Sequence, residues 1–261
     1  MVATLLLVVL QTPSKGEWVQ FDVDGKTRKA IIYKPQSVPS GTKPAVYFVF
    51  HGLGSNAQLS TTQFDIHELD PNAIVIYPEG IPALPNGFRG STSASSRQRI
   101  ERLGGMHTWQ IMPKQYEDRD IHFTQAMIKW ADAAGADPAK RYYIGHSNGS
   151  AFAWVVLKEI GDQFARYVGM NGGTLLPLEG AATRPTLLTT GTYDQLVSSK
   201  SVQRFADALA KHNGCGDGTG SPIKTYPGEN PVYLFEYESG HLPPKNAYEM
   251  AVKFCQTGKP N

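Results

Sequence analysis

One short segment combines residues that could perform nucleophilic catalysis. Residues 145–149 read Gly-His-Ser-Asn-Gly, so that a glycine stands two positions before and two positions after Ser147. The strand-like run RYYI precedes this segment and the helix-like run AFAWVVLKEI follows it. That order is typical of a sharp strand-to-helix turn that exposes a serine hydroxyl, with glycines where the main chain packs closely. Ser147 is therefore a predicted nucleophile; the alternative is an ordinary serine in a glycine-rich turn.

A serine nucleophile needs two further groups, because its hydroxyl is weakly nucleophilic at neutral pH. A base must take the proton, and a third group must orient that base. In hydrolases with this turn, an acid and then a histidine follow the serine, each after a later strand. Asp194 directly follows the apolar run PTLLTT, and His241 directly follows YLFEY. We expect His241 to be the general base and Asp194 to orient it, with an ordinary turn aspartate as the alternative for Asp194.

The other candidates fit these roles less well. His212 is the only other histidine after Ser147, and it ends a predicted helix, where a solvated or capping role is expected. The remaining acids considered do not directly follow a buried strand; they are Asp162, Asp207, Asp217, Glu229 and Glu236. His51 and His146 adjoin the motifs, and we expect them to pack or form hydrogen bonds beneath the site.

Ester or amide chemistry at a serine also requires hydrogen-bond donors for the oxyanion that develops on the carbonyl oxygen. The amide of Asn148, directly after the nucleophile, is one predicted donor. The segment His-Gly-Leu-Gly at 51–54 follows an apolar strand, and its glycines allow the main chain to approach a substrate. We therefore predict the amide of Leu53 as the second donor and Gly52 as a substrate contact; the alternative is a tight turn without this role.

Alternating strand-like and helix-like segments would position these residues. The predicted strands are 18–23, 29–33, 45–50, 73–77, 141–144, 184–190 and 232–237. The predicted helices are 121–134, 149–160, 201–210 and 247–254. This alternation predicts an α/β fold with a mostly parallel central sheet and helices on both faces. The stretch 82–116 lacks such periodicity, which is typical of a binding loop or a mobile loop.

Composition narrows the classes of function. The 261 residues, 41% of them hydrophobic, are enough for one catalytic domain, predicted over 17–261. The 25 basic and 23 acidic residues nearly cancel, and no basic run suggests a nucleic-acid partner. The apolar start MVATLLLVVL makes 1–16 a candidate signal remnant or leader, or alternatively a first strand or disordered tail. No other apolar run is long enough to span a membrane, and no membrane partner is expected.

The two cysteines, Cys215 and Cys255, leave two alternatives open. They could form one disulfide that pins the last helix, which would suit an exported protein, or they could remain as buried free thiols. No C-x-x-C or Cys/His cluster occurs, so no metal is expected.

Several ordered motifs together resemble one known group. They are VDGKTRKAIIYKP, FHGLGSNA, VIYPEG, the Trp109 segment followed by DRDIHF, YYIGHSNGSAFAW, GTYDQLV and SGH. From about Phe21 onward the chain resembles the feruloyl esterase and polyhydroxybutyrate depolymerase-like family of serine esterases. The resemblance implies an α/β-hydrolase fold, ester hydrolysis through an acyl-serine without a cofactor, a secreted or periplasmic location, and a cleft lined by Trp109. The sequence departs from the family at Ser150, where a glycine is common, and in a longer, more charged stretch at 91–105.

Substrate choice remains the most open question. The leading hypothesis is hydrolysis of hydroxycinnamoyl esters of plant polysaccharide. Four aromatic residues could stack on such an acyl group, or could simply pack within the protein: Phe88, Trp109, Tyr116 and Tyr193. The rivals are an acetyl xylan esterase, which needs a small acyl pocket, and a polyester depolymerase, which needs an open apolar surface. A peptidase is disfavoured, and a non-catalytic binding protein of the same fold is the alternative outside enzymes. The oligomeric state is not predicted.

Overall fold

A nine-stranded sheet forms the centre of the structure. The structure is a computed structural model and describes residues 15–83, 104–174 and 176–261. Its strands are β1 (Glu17–Val23), β2 (Lys26–Tyr33), β3 (Val46–Phe50), β4 (Ile74–Pro78), β7 (Arg141–His146), β8 (Arg166–Met170), β9 (Thr186–Gly191), β10 (Ile223–Tyr226) and β11 (Val232–Tyr237). A separate hairpin contains β5 (Ile81–Ala83) and β6 (Met106–Thr108). The helices of these ranges are α1 (Ala57–Phe64), α2 (Ile66–Leu69), α3 (Arg119–Ala133), α4 (Asn148–Ile160), α5 (Ser199–His212) and α6 (Lys245–Thr257).

The sheet order is β1-β2-β4-β3-β7-β8-β9-β11-β10. The six strands from β4 to β11 run parallel, whereas β1, β2 and β10 pair antiparallel with their neighbours. Strands β3, β4 and β7 are buried at every position because helices cover both faces of the sheet. Helices α3, α4 and α5 pack on one face, and α1, α2 and α6 pack on the other. The predicted α/β architecture is confirmed.

All seven predicted strands and all four predicted helices are present, with ends shifted by a few residues. The central strand β8 was not predicted, because its sequence RYVGM is short and contains a charge and a glycine. That glycine is needed: a Cβ atom at Gly169 would lie 2.7 Å from Cζ2 of Trp154 in α4. Within the predicted irregular stretch 82–116, residues 84–103 lie outside the described ranges, while the part after them contains β6.

The possible disulfide is wrong. Cys215 and Cys255 are both free thiols, because they contact the hydrophobic clusters on opposite faces of the sheet. Cys255 is fully buried, and this burial raises the pKa of its thiol. The argument for export that a disulfide would have given is therefore lost.

The predicted leader at 1–16 lies almost wholly outside the described ranges, which begin at Lys15. Of the helices in those ranges, none has the length and apolar character needed to cross a membrane.

Candidate active site

Ser147 occupies the turn between β7 and α4. Its backbone has φ 54° and ψ −113°, a conformation that is costly for a residue other than glycine and that is often found at functional sites. The Ser147 amide donates to the carbonyl of Met170, 2.8 Å away, and its hydroxyl caps no helix amide. A Cβ atom at Gly149 would lie 2.3 Å from the carbonyl oxygen of Phe50. Glycine at this position therefore lets the turn pack directly against the end of β3.

Asp194 and His241 are joined by a hydrogen bond. They follow β9 and β11, neighbouring parallel strands whose carboxyl ends lie side by side. His241 Nδ1 lies 2.8 Å from Oδ2 of Asp194, and the other carboxylate oxygen accepts the amides of Leu196 and Val197 at 2.9 and 3.0 Å. Because a carboxylate only accepts, Nδ1 of His241 carries the proton and Nε2 is left as an acceptor.

The ionised form of Asp194 is favoured. Burial opposes ionisation, but hydrogen bonds from the Val197 amide, His241, Asn171 and the Leu196 amide outweigh it, so the pKa of Asp194 lies below its ordinary value. The carboxylate therefore stays negative, as a group that orients a histidine must.

Asn171, at the end of β8, supports this pair and was not predicted. Its Nδ2 donates to Asp194 Oδ2 at 3.1 Å and to the Gly240 carbonyl at 3.3 Å, while its Oδ1 accepts the hydroxyl of Tyr237. The residue is fully buried and has φ 49°, in a region that asparagine tolerates better than most residues. In the sequence, Asn171 is a polar residue that directly follows a strand, as Asp194 and His241 are. It was missed because β8 was not predicted.

His146 connects the serine turn to the histidine loop. Its Nε2 donates to the carbonyl of His241 at 2.8 Å, and the two imidazole rings lie 4.9 Å apart. Burial lowers the pKa of His146 to about 4, so the ring is neutral at pH 7. The expectation that His146 forms hydrogen bonds beneath the site is confirmed.

The loop at 51–54 lies against the serine turn. A Cβ atom at Gly52 would be 3.3 Å from Cβ of Ser147, so only glycine fits there without displacing its neighbours. Gly54 donates its amide to the carbonyl of His107 at 2.8 Å, which fixes the loop. The amides of Leu53 and Asn148 have no acceptor in the described ranges, as expected of a turn and of the first residue in a helix. Both predicted oxyanion donors are therefore free to bind a substrate oxygen.

Trp109 lies below the site and does not line a cleft. Its indole is 1% exposed, packs between the rings of Phe50 and Phe152, and donates Nε1–H to the carbonyl of His51 at 2.9 Å. The side-chain Oδ1 of Asn148 accepts the Trp109 amide at 2.8 Å, so the tryptophan segment is tied to the serine turn. The expected substrate contact at Trp109 is corrected to a supporting role.

The other aromatic candidates differ in placement. Tyr193, which is 66% exposed, lies on the Asp194 loop, where it is accessible to a substrate. Tyr116 packs its ring under the guanidinium of Arg119. Phe88 lies outside the described residues.

A groove of about 1190 Å³ adjoins the site. Most of its wall is apolar and includes Ile111, Met112, Leu176, Leu178, Val197 and Phe205. Ala151 also lines it and donates its amide to the carbonyl of Ser147 at 2.9 Å, one helical turn away. Val197 holds Asp194, as described above. The groove therefore lies next to the segments that hold Ser147 and Asp194, although its described lining includes neither of these side chains nor His241.

Three side chains near the loop at 51–54 have the types and spacing of metal ligands: His51, Glu79 and His107. Both ring nitrogens of His51 are already bonded, Nδ1 to the Gly52 carbonyl at 2.7 Å and Nε2 to the Gly80 amide at 3.0 Å. Glu79 accepts the amide of Ala57 at the start of α1. Burial lowers the pKa of His51 to about 4. These bonds indicate a role in holding the loop, as expected for His51, and a cation would have to break them.

Solved structures of similar fold include three named hydrolases. The acetyl xylan esterase of Aspergillus awamori is 14% identical, with a TM-score of 0.65 over 92% of this chain and 100% of that one. The Bacillus cereus carboxylesterase is 18% identical, with a TM-score of 0.58 over 88% and 93%. The S-formylglutathione hydrolase of Staphylococcus aureus is 13% identical, with a TM-score of 0.59 over 94% and 98%.

At these identities the likeness concerns the fold, and this chain has the predicted α/β-hydrolase fold. No protein-family model matches the sequence, and no curated protein matches it. The finer resemblance to feruloyl esterases and polyhydroxybutyrate depolymerases stays a prediction.

Proposed function

We propose that this protein is a serine carboxylic ester hydrolase that acts through an acyl-serine intermediate. The observation that carries the proposal is the bonded Asp194–His241 pair at the carboxyl ends of β9 and β11, beside a strained Ser147. The similar folds of the named esterases agree with it. No cofactor is required by this chemistry.

In the proposed reaction His241 transfers a proton twice: first from Ser147 to the departing alcohol, and then from water to the oxygen of Ser147 as the acid leaves. Nε2 of His241 takes the Ser147 proton as the hydroxyl oxygen attacks the ester carbonyl, and the Asp194 carboxylate stabilises the imidazolium. The amides of Leu53 and Asn148 bind the oxyanion. The imidazolium then protonates the departing alcohol, and a water molecule activated by His241 releases the acid from Ser147.

For the substrate, we propose an ester with a bulky carboxylic acid, of which a hydroxycinnamoyl ester is the leading case. The large apolar groove beside Ser147 supports this choice, since acetate alone would leave most of it unfilled. Because Trp109 is buried, the apolar contacts would come from Met112 and Phe205 in the groove. The open form of the groove favours a polyester oligomer as the second candidate.

The test is the initial rate of hydrolysis of methyl ferulate, acetylated xylan and a hydroxybutyrate oligomer. Ser147→Ala should lose all measurable turnover on the preferred ester, whereas Ser150→Ala, three residues away in the same turn, should keep most of it. Preference for ferulate supports the hydroxycinnamoyl proposal, and preference for the oligomer supports the second candidate. If hydrolysis does not depend on Ser147 for any of these esters, the proposed function is contradicted.

A further inference from the structure

One face of helix α5 forms a long wall of the groove. Its groove-lining residues are Ser201, Arg204, Phe205, Ala208, Lys211 and His212, which recur at the spacing of one helical face. At a rise of about 1.5 Å per residue, Ser201 and Lys211 are about 15 Å apart along the helix. Val197, whose amide binds Asp194, lines the same groove as Ser201, so the wall extends from the neighbourhood of the Asp194 loop to a distant end.

This wall carries cations that the fold does not use. Among the described residues, the Arg204 guanidinium donates only to Ser201 Oγ on its own helix, at 3.3 Å, and Lys211 forms no ion pair. Elsewhere on α5 the pattern differs, since Asp207 pairs with Lys224 at 3.1 Å. Arg204 and Lys211 are both exposed, so no burial constraint explains their placement.

The other polar groups of the groove do not cancel this charge. Of the described residues that line the groove, Glu179 is the only acidic one. The ammonium group of Lys158, close to the same wall, donates to the carbonyls of Pro177 and Glu179 at 3.0 and 2.9 Å. His212 donates Nε2–H to the carbonyl of Ala181 at 3.1 Å. Two free cations against one carboxylate leave the groove positive.

We propose that the groove binds an extended apolar arm of the ester that carries a carboxylate at its end, and that Arg204 and Lys211 recognise this carboxylate. The inference rests on the proposed esterase function for its catalytic meaning. The apolar wall would bind the body of the arm, because burying its surface is favourable. The cations would select a negative end, since complementary charge mainly provides specificity. The substrate class is thus the half-esters of dicarboxylic acids, or ester-linked hydroxy acids with a free carboxylate.

The test is binding to Ser147→Ala protein, in which an ester cannot be consumed. Calorimetry would compare monomethyl suberate with methyl octanoate, which have acyl chains of the same length but differ in the charged end. A second pair, 8-acetoxyoctanoate and octyl acetate, places the carboxylate on the alcohol arm. We expect the charged member of one pair to bind about fivefold more tightly, because exposed cations contribute modestly, and we expect this preference to decrease with added salt.

Substitutions assign the preference to the groove. Arg204→Gln and Lys211→Gln, combined, should remove it, whereas Glu179→Gln should increase it. Lys245→Gln and Lys253→Gln, combined, are the matched control, because they make the same charge change on α6, on the other face of the sheet. Equal binding of charged and neutral esters in both pairs, or a preference that survives the combined substitution, would overturn the inference.

The two proposals can fail separately. The inference is measured by the dissociation constants in Ser147→Ala, and the esterase function by turnover with Ser147 intact. A charge preference without turnover on any ester would support the groove as an anion-selective site and reject the proposed reaction. Turnover without charge preference would support the esterase and reject this inference.

Discussion

The Asp194–His241 corner and the groove wall on α5 adjoin each other but are built in opposite ways. In the corner, both carboxylate oxygens of Asp194 are bonded, and Asn171 and His146 fix the chain around His241. On the groove wall, Arg204 and Lys211 are exposed and have no acidic partner in the described structure. Groups that move protons must be held in one geometry, whereas groups that select a substrate can keep freedom to adapt. In the proposed enzyme, the corner would therefore carry the reaction, and the groove wall would select the substrate.

Among substitutions in the Asp194–His241 corner, Asp194→Asn should reduce activity most. The amide can present its Nδ2–H to Nδ1 of His241, which favours the wrong tautomer, so that Nε2 no longer accepts the serine proton. We expect kcat to fall about a thousandfold or more, with little change in KM. Initial rates on the preferred ester measure this effect.

Asp207→Asn is the matched control, because Asp207 lies on α5 and bonds only Lys224 and Tyr226. It should keep near-normal kcat. A mutant at position 194 that also retained near-normal kcat would remove Asp194 from the mechanism.

Asn171→Gly should have a smaller effect on activity. Glycine tolerates the positive φ at this position but lacks the side-chain amide. Asp194 loses one donor and the Tyr237 hydroxyl loses its acceptor. We expect kcat to fall tenfold to a hundredfold, since a small displacement of a catalytic group has such an effect. With one donor fewer, the negative charge of Asp194 is less neutralised and attracts the proton of the adjacent imidazolium more strongly, so the acid limb of the pH–rate profile should move to higher pH.

The pH shift separates positioning from mere loss of stability. Asn213→Ala serves as control, because Asn213 also bonds two carbonyls, those of Arg184 and Asn230, far from the triad. It should lower stability without moving the acid limb. An unmoved limb in Asn171→Gly would assign Asn171 a structural role only.

The sequence was sufficient to place the Asp194–His241 pair because each predicted triad residue directly follows a recognisable element. Ser147 follows an apolar strand and precedes a helix, and Asp194 and His241 each end an apolar run. In a parallel sheet these positions meet at one edge, so local pattern and spatial proximity agree. The two oxyanion amides were predicted for the same reason.

What failed depended on contacts between segments far apart in the chain. The direction of Trp109 is set by the His51 carbonyl and by the side-chain oxygen of Asn148, neither of which a local pattern reveals. Cys215 and Cys255 were placed near each other by their C-terminal positions, but the sheet separates them. The groove also has no signature in the sequence, since it arises from several segments, and only the helical face of α5 was visible beforehand.

The smallest expected effect is a pH dependence of stability, because the chain beneath the corner buries two histidines. Burial lowers the pKa of His51 and His146 to about 4 from 6.5, so the folded chain holds fewer protons there than the unfolded chain between these values. Stability is therefore fully present above pH 6.5 and falls as the pH decreases toward 4, by about 2 kcal/mol per histidine at pH 5. Urea unfolding at pH 7 and pH 5 measures this loss. His146→Gln should reduce the difference between the two pH values by the part due to this residue, about 2 kcal/mol. An unchanged difference would show that His146 takes up its proton equally well in the folded chain, and the corner would then be less tightly closed than its hydrogen bonds imply.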